Sequence, residues 1–233
     1  MKVRIFIGPN GSGKSSVLSL LQSRGVNTFY FVNADIIAQE IVKGFELPFV
    51  ANKKNLDEFI AAHPLNKKAS LNTCAKSLKV IKTQIKSDSK INSYCAATIA
   101  DFLRRELTKN NSSFSFESVF SDKSKIEFVR KLKKQGYRVY VYLVSTTDPL
   151  LNIQRVKDRV SKLGHDVPED KILSRWQKSL DNAKQIKKYS DRFFVIDNSQ
   201  NEHPELVAEI ENGKKIKYLN KTYQPNWTKK FIK

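Results

Sequence analysis

Gly8-Pro9-Asn10-Gly11-Ser12-Gly13-Lys14-Ser15 follows the apolar run Val3-Arg4-Ile5-Phe6-Ile7 and precedes a segment with helical spacing. The octet fits the phosphate-binding pattern G-x-x-x-x-G-K-[ST], in the required context of a strand before it and a helix after it. Its glycines let the backbone curl and point successive N–H groups at a polyphosphate. Lys14 adds a mobile positive charge for the outer phosphates. Ser15 opens the helix with a hydroxyl placed for Mg²⁺, and the helix N-terminus contributes a partial positive charge. Gly8 through Ser15, with Ser16 behind them, form the candidate nucleotide-binding set.

Outward from the loop, strand and helix signals alternate. Val17, Leu18, Leu20 and Leu21 form a helical stripe that Gly25 ends. Residues 28–32 (TFYFV) read as a buried strand, followed by Asn33-Ala34-Asp35 and a helical pattern at Ile36, Ile37 and Ile41. A strand is expected over 114–117, a helix over 123–135, and a strand over 137–144 (YRVYVYLV). A helix then starts at Pro149, breaks at Gly164-His165-Asp166-Val167-Pro168, and is succeeded by another over 169–188. The last strand, 193–196, runs into Asp197-Asn198-Ser199, and Asn198 joins the nucleotide-binding set. With the phosphate-binding octet, the alternation predicts an α/β fold of the P-loop NTPase type, a parallel sheet with helices on both faces, in one domain over 1–233.

Two stretches depart from the alternation. Residues 44–92 are rich in Lys, Asn and Ser, with apolar groups Leu56, Phe59, Ile60 and Leu78, Ile81, Ile85 at helical spacing. They read as an insertion of two or three amphipathic helices beside the substrate side. Residues 200–233 form a basic C-terminal segment with a helix and a hairpin near Asn212-Gly213.

Composition sets limits on function. No apolar run is long enough to cross a bilayer, and the apolar stretch at Val3 is too short for a signal peptide. Cys74 and Cys95 show neither metal spacing nor a disulfide framework, so reduced thiols and a cytoplasmic location are expected. The net charge of +19 draws anionic partners. The excess is lysine scattered over helices, without a nucleic-acid-binding module or basic-aromatic pattern, so nucleic acid is not expected as the main partner.

Three groups beyond the loop carry chemistry. Residues just past the carboxyl ends of strands line the ligand crevice of such sheets, which places Asp35 near the phosphates as a general base, an N-cap or a group that holds Mg²⁺ through its bound water. Glu117, at the same edge, can hold a substrate hydroxyl or support the magnesium water shell, with Ser118 and Ser121 as further substrate contacts. Arg155 and Arg159 share a helix face and Arg175 lies on the next helix, across a lid loop at 163–169. Guanidinium groups there would neutralise the transferring phosphoryl group. His165 reads as a loop residue.

The octet, Asn33-Ala34-Asp35, the FSFES block ending in Ser118, GYRVYVYLV, Arg155 through GHDVPEDKILSRWQKSL and DRFFVIDNS together resemble the zeta-toxin-like P-loop kinases. The resemblance implies that Lys14 and the loop bind ATP with Mg²⁺, that Asp35 deprotonates a substrate hydroxyl, and that Glu117 positions the substrate. It also implies that Arg159 and Arg175 serve the transition state. Zeta toxins phosphorylate UDP-N-acetylglucosamine and are neutralised by a small helical antitoxin, so a small anionic acceptor and an antitoxin-like protein partner are implied as well. Where that family has Glu-Thr-Thr and then Ser-Gly, this chain has Glu117-Ser118-Val119 and Ser121-Asp122. The loop starts at residue 8, so no N-terminal helical extension is expected to meet an antitoxin. Two other classes stay open: an ATPase or nucleotide-gated binding protein, and a basic nucleic-acid-binding protein that retains the loop.

Overall fold

The structure is a computed structural model and describes residues 1–66, 71–161, 166–200 and 203–232. The expected lid residues Gly164 and His165 lie outside the described residues. In chain order the elements begin β1 (Lys2–Ile7), α1 (Lys14–Ser23), β2 (Tyr30–Val32), α2 (Ala34–Glu40), β3 (Phe45–Glu46) and α3 (Lys53–Ala62). They continue α4 (Asn72–Ser77), β4 (Leu78–Ile81), β5 (Gln84–Ser87), α5 (Ser93–Lys109), β6 (Phe114–Ser118), α6 (Ser124–Lys134) and β7 (Arg138–Ser145). The remainder is α7 (Pro149–Ser161), α8 (Glu169–Ile186), β8 (Arg192–Asp197), β9 (Glu205–Glu211), β10 (Lys215–Leu219) and α9 (Lys229–Ile232). They fall into two compact units, 1–29 with 113–233, and 30–112.

In the first unit six strands lie in the order β10-β9-β8-β7-β1-β6. The pairs β6–β1, β1–β7 and β7–β8 are parallel, and β9 and β10 add an antiparallel hairpin at one edge. The sheet is the expected α/β arrangement with parallel strands at its centre. Period-two alternation puts Val3, Ile5, Phe114, Phe116, Val139, Val141, Phe193 and Val195 on one face, all fully buried. Phe128 of α6 meets Phe116, and Phe231 of α9 meets Phe193, covering that face. Each such side chain contributes roughly 1.5–3 kcal/mol on burial, so this layer is a large hydrophobic stabiliser of the unit. The opposite face carries a stacked row, Phe6–Tyr142–Phe194, with centroids 4.8 and 4.7 Å apart. Helix α6 stops at Gly136 (φ 81), where the N–H groups of Gly136 and Tyr137 return to Lys133 and Leu132. The chain is thereby turned straight into β7.

The C-terminal segment is more ordered than its composition suggests. The turn at Asn212-Gly213 joins β9 to β10 and so extends the sheet. Beyond it, Tyr223 and Trp227 both donate to the buried carboxylate of Asp197, at 3.0 and 2.7 Å, pinning the tail to the end of β8.

The second unit corrects the all-helical reading of 44–92. Two helices, α3 and α4, are present among the described residues, but Leu78, Ile81 and Ile85 lie on β4 and β5 of a three-stranded antiparallel sheet, β3-β5-β4. Their i, i+3, i+7 spacing imitates a helix. The β-branched run through Val80, Ile81, Thr83 and Ile85, with Lys82 at φ 54 in the turn, decides for a hairpin instead. The result buries Leu78 and Ile85 and exposes Ile81. The unit also takes in α2 and α5, whose helix starts are capped by Asn33 and Asn92. The unit spans 30–112 and so contains the whole of 44–92. A buried ionic cluster holds α5 to the end of α3: Asp101 accepts from Arg104 at 2.8 Å and lies 3.5 Å from His63 Nε2.

Cys74 and Cys95 form a disulfide, with Cα atoms 6.4 Å apart, linking α4 to the first turn of α5. This corrects the expectation of two reduced thiols. A separation of 21 residues carries no sequence signal of pairing, and the fold brings the two Cα atoms within disulfide range. No helix among the described residues is long and apolar enough to cross a membrane.

Candidate functional site

The site of the first unit grows from the carboxyl ends of its parallel strands. β1 ends at Ile7, the loop crosses 8–13, and α1 starts at Lys14 with Gly13 as its N-cap at φ 84. Gly11 also has a left-handed backbone, φ 73. No acidic side chain of α1 itself occupies its first turn. Lys14 is almost wholly buried and donates to the Pro9 carbonyl at 2.9 Å.

The parallel register of β6 beside β1 pairs Phe6 with Glu117, which brings Glu117 to the same edge. Its Oε1 lies 3.6 Å from Lys14 Nζ, and its Oε2 accepts from Ser15 Oγ at 3.1 Å. A carboxylate, an ammonium and a hydroxyl thus converge at the helix start. Glu117 and Ser15 are hard oxygen donors of the kind Mg²⁺ takes, and a magnesium ion there would need no wider protein cage. Among the described residues no group of three or more His, Cys, Asp or Glu is placed to hold a metal.

Three further side chains fasten onto the loop. Asn152, fully buried in the first turn of α7, donates to the Asn10 carbonyl at 2.6 Å and accepts from Thr146 Oγ1. Asn198, the first residue after β8, donates to the Ser12 carbonyl at 2.9 Å. Arg175 of α8 reaches the Asn10 side chain at 3.5 Å. Arg155 is directed elsewhere: its guanidinium donates to the carbonyls of Asn198 and Ser199, at 2.7 and 3.4 Å. Burial pulls its pKa below the ordinary arginine value, with Asp197 opposing the shift. Arg159 sits half-buried one turn further along α7.

On the acceptor side, Ser118 Oγ accepts from the Phe120 N–H, so it shapes the loop after β6. Ser121 is half-buried in that loop. Helix α8 clamps the same loop from above, Ser179 donating to Val119 O at 2.7 Å and Asn182 to Phe120 O at 2.9 Å. Helix α8 therefore touches both the phosphate loop and the loop that follows Glu117.

Asp35 belongs to the second unit. It is exposed in the first turn of α2, and the N-cap role goes to Asn33, whose side chain accepts from Asp35 N at 2.7 Å. Its carboxylate carries no capping duty. Asn152 and Thr146 escaped the sequence reading, since an Asn three residues into a helix that begins with Pro has no motif. The available signal was position alone, just past the carboxyl end of β7.

By sequence, the zeta toxin family matches residues 79–204, just over half of the chain. No curated protein matches it by sequence. Among solved structures it resembles one from the PezAT chromosomal toxin–antitoxin system of Streptococcus pneumoniae, at 14% identity and a TM-score of 0.52, covering 90% of this chain and 72% of that one. It also resembles the AvrRxo1-ORF1:-ORF2 complex with ATP, at 11% identity and a TM-score of 0.54, covering 93% of this chain and 60% of that one. At these identities the likeness establishes the fold, and the chain spans well under the full length of either structure. With the phosphate loop, the parallel sheet and the family match in agreement, the chain belongs to the zeta toxin family and is a phosphotransferase of the P-loop kinase fold.

Proposed function

We propose that the protein transfers the γ-phosphoryl group of ATP to a hydroxyl of a small anionic acceptor, of the phosphorylated-sugar or nucleotide-sugar class. The observation that carries this reading is the convergence of Lys14, Ser15 and Glu117 at the start of α1. The loop N–H groups and Lys14 would bind the β- and γ-phosphates. Ser15 and Glu117 would hold Mg²⁺, which when bound neutralises charge on the phosphates. Of the two roles open to Glu117, its contact with Ser15 favours the metal side over the acceptor.

Arg175, with Arg159, would balance charge on the transferring group. Asp35 is assigned as base from its place after β2 and from the family resemblance. Its carboxylate would take the acceptor's hydroxyl proton as that oxygen bonds to the γ-phosphorus, while the bond from phosphorus to the β,γ-bridging oxygen breaks and ADP leaves. Acceptor recognition would fall to Ser118 and Ser121, and the positive net charge suits an anionic acceptor. An antitoxin-like protein partner belongs to the same proposal, on the strength of the PezAT toxin–antitoxin likeness.

The test is incubation with γ-labelled ATP, Mg²⁺ and a panel of phosphorylated sugars and nucleotide-sugars. One acceptor should become labelled, Lys14→Ala should abolish labelling, and Asp35→Asn should lower it by about 10²–10⁴-fold. Label released only as inorganic phosphate would replace the kinase with an ATPase. Full transfer by Asp35→Asn would remove Asp35 as the base.

A further inference from the structure

Asn152 and Asn198 take no chemical part in phosphoryl transfer, yet each buries its side-chain amide against one carbonyl of the phosphate loop. In a planar trans peptide, the carbonyl of one residue and the N–H of the next point in opposite directions. A hydrogen bond that fixes the Asn10 carbonyl therefore also fixes the Gly11 N–H, aimed away from Asn152. A bond that fixes the Ser12 carbonyl does the same for the Gly13 N–H, aimed away from Asn198. We propose that Asn152 and Asn198 are positioning residues that hold these two N–H groups turned toward the phosphates before any nucleotide arrives.

The surroundings of each asparagine support this. Because a carbonyl only accepts, the nitrogen of Asn152 must face Asn10 and its oxygen must face Thr146, which meets it with a hydroxyl. Asn198 is fixed through its backbone, its N–H donating to Ser145 O at 2.8 Å and its carbonyl accepting from Arg155. Arg155 thus belongs to this support. Residues 145 and 146 at the end of β7, together with α7, anchor both asparagines. The contacts are close enough to require glycine in the loop: a Cβ on Gly11 would lie 2.4 Å from the backbone carbonyl oxygen of Asn152, and one on Gly13 would lie 1.9 Å from Asn198 Nδ2. Gly13 is thus matched to the Asn198 side chain, and Gly11 to the backbone of α7 at residue 152.

This inference rests on reading the loop as a polyphosphate site, and the test separates the two. Inorganic tripolyphosphate and ATP are titrated calorimetrically into the wild-type protein and into Asn152→Ala, Asn198→Ala and Thr146→Val, with thermal melts confirming that each variant is folded. Asn152→Ala and Asn198→Ala should weaken tripolyphosphate and ATP by the same factor, about tenfold, since the nucleoside plays no part in the defect. Thr146→Val should weaken both by a smaller factor, since the Thr146 hydroxyl bonds Asn152 and the Asp148 carbonyl and would act on the loop only through Asn152. Wild-type binding of both probes with unchanged affinity in the folded asparagine variants would overturn the positioning role alone. A wild-type protein that binds neither probe would overturn the polyphosphate reading, and the positioning role with it. If both asparagine variants fail to fold, unchanged tripolyphosphate affinity in Thr146→Val overturns the proposal.

Discussion

Glu117 is tied to Ser15 and Lys14 by a carboxylate with two distinct partners, one per oxygen. Substituting glutamine keeps its shape and one acceptor while removing the charge, so the effect should fall on the metal rather than on the fold. For Glu117→Gln the Mg²⁺ concentration giving half-maximal transfer should rise by about 10–100-fold, with the melting temperature little changed. A Mg²⁺ titration of the labelled-transfer assay reads this directly. An unchanged requirement would return Glu117 to the acceptor side. Residue identity announced Lys14, Ser15 and Glu117 as candidates, because a glycine loop and a strand-end carboxylate are local signals. Their convergence depended on the parallel register that sets Phe6 against Glu117, and no local pattern specifies which strand lies beside β1.

Helix α8 shows how one element can serve two ends of a site. Its first half carries Arg175 toward Asn10, while Ser179 and Asn182 tie its second half to the loop after β6. Asn182 is almost fully buried, so Asn182→Ala leaves the Phe120 carbonyl without that donor. The expected cost is about 1–3 kcal/mol. For a chain of this size that lowers the melting temperature by roughly 2–4 °C per kcal/mol, measurable by calorimetry. Most elements were legible from hydrophobic period and turn residues, including α6 with its Gly136 terminus and the hairpin at Asn212-Gly213. The hairpin of β4 and β5 was not, because three apolar residues at helical spacing outweighed β-branched neighbours in a short segment.

Across the molecule, Tyr30, Tyr137, Tyr142 and Tyr223 all have pKa values raised chiefly by burial, and carboxylates or Asp197 add to the shift at Tyr30 and Tyr223. Tyrosine is neutral when protonated, so a folded pKa above the unfolded value of about 10 means that the folded state holds these protons more tightly. Their contribution to stability is complete below that pH and is lost as pH rises from it through the higher folded values. An absorbance titration at alkaline pH should therefore show part of the tyrosine ionising at its ordinary value, and these four rings, buried or half-buried, ionising only at higher pH or together with unfolding. A single transition for all tyrosines, with the far-ultraviolet circular dichroism unchanged, would contradict the burial seen here. By itself the sequence determined the phosphate loop, the alternation that makes the sheet and the family resemblance, because each is written in neighbouring residues. Only the tertiary structure decided the division at 30 and 112, the Cys74–Cys95 pairing and the use of Asn152 and Asn198 to hold the loop. Those are contacts between residues distant in the chain, set by which strands and helices come to lie side by side, and local propensity does not encode that choice.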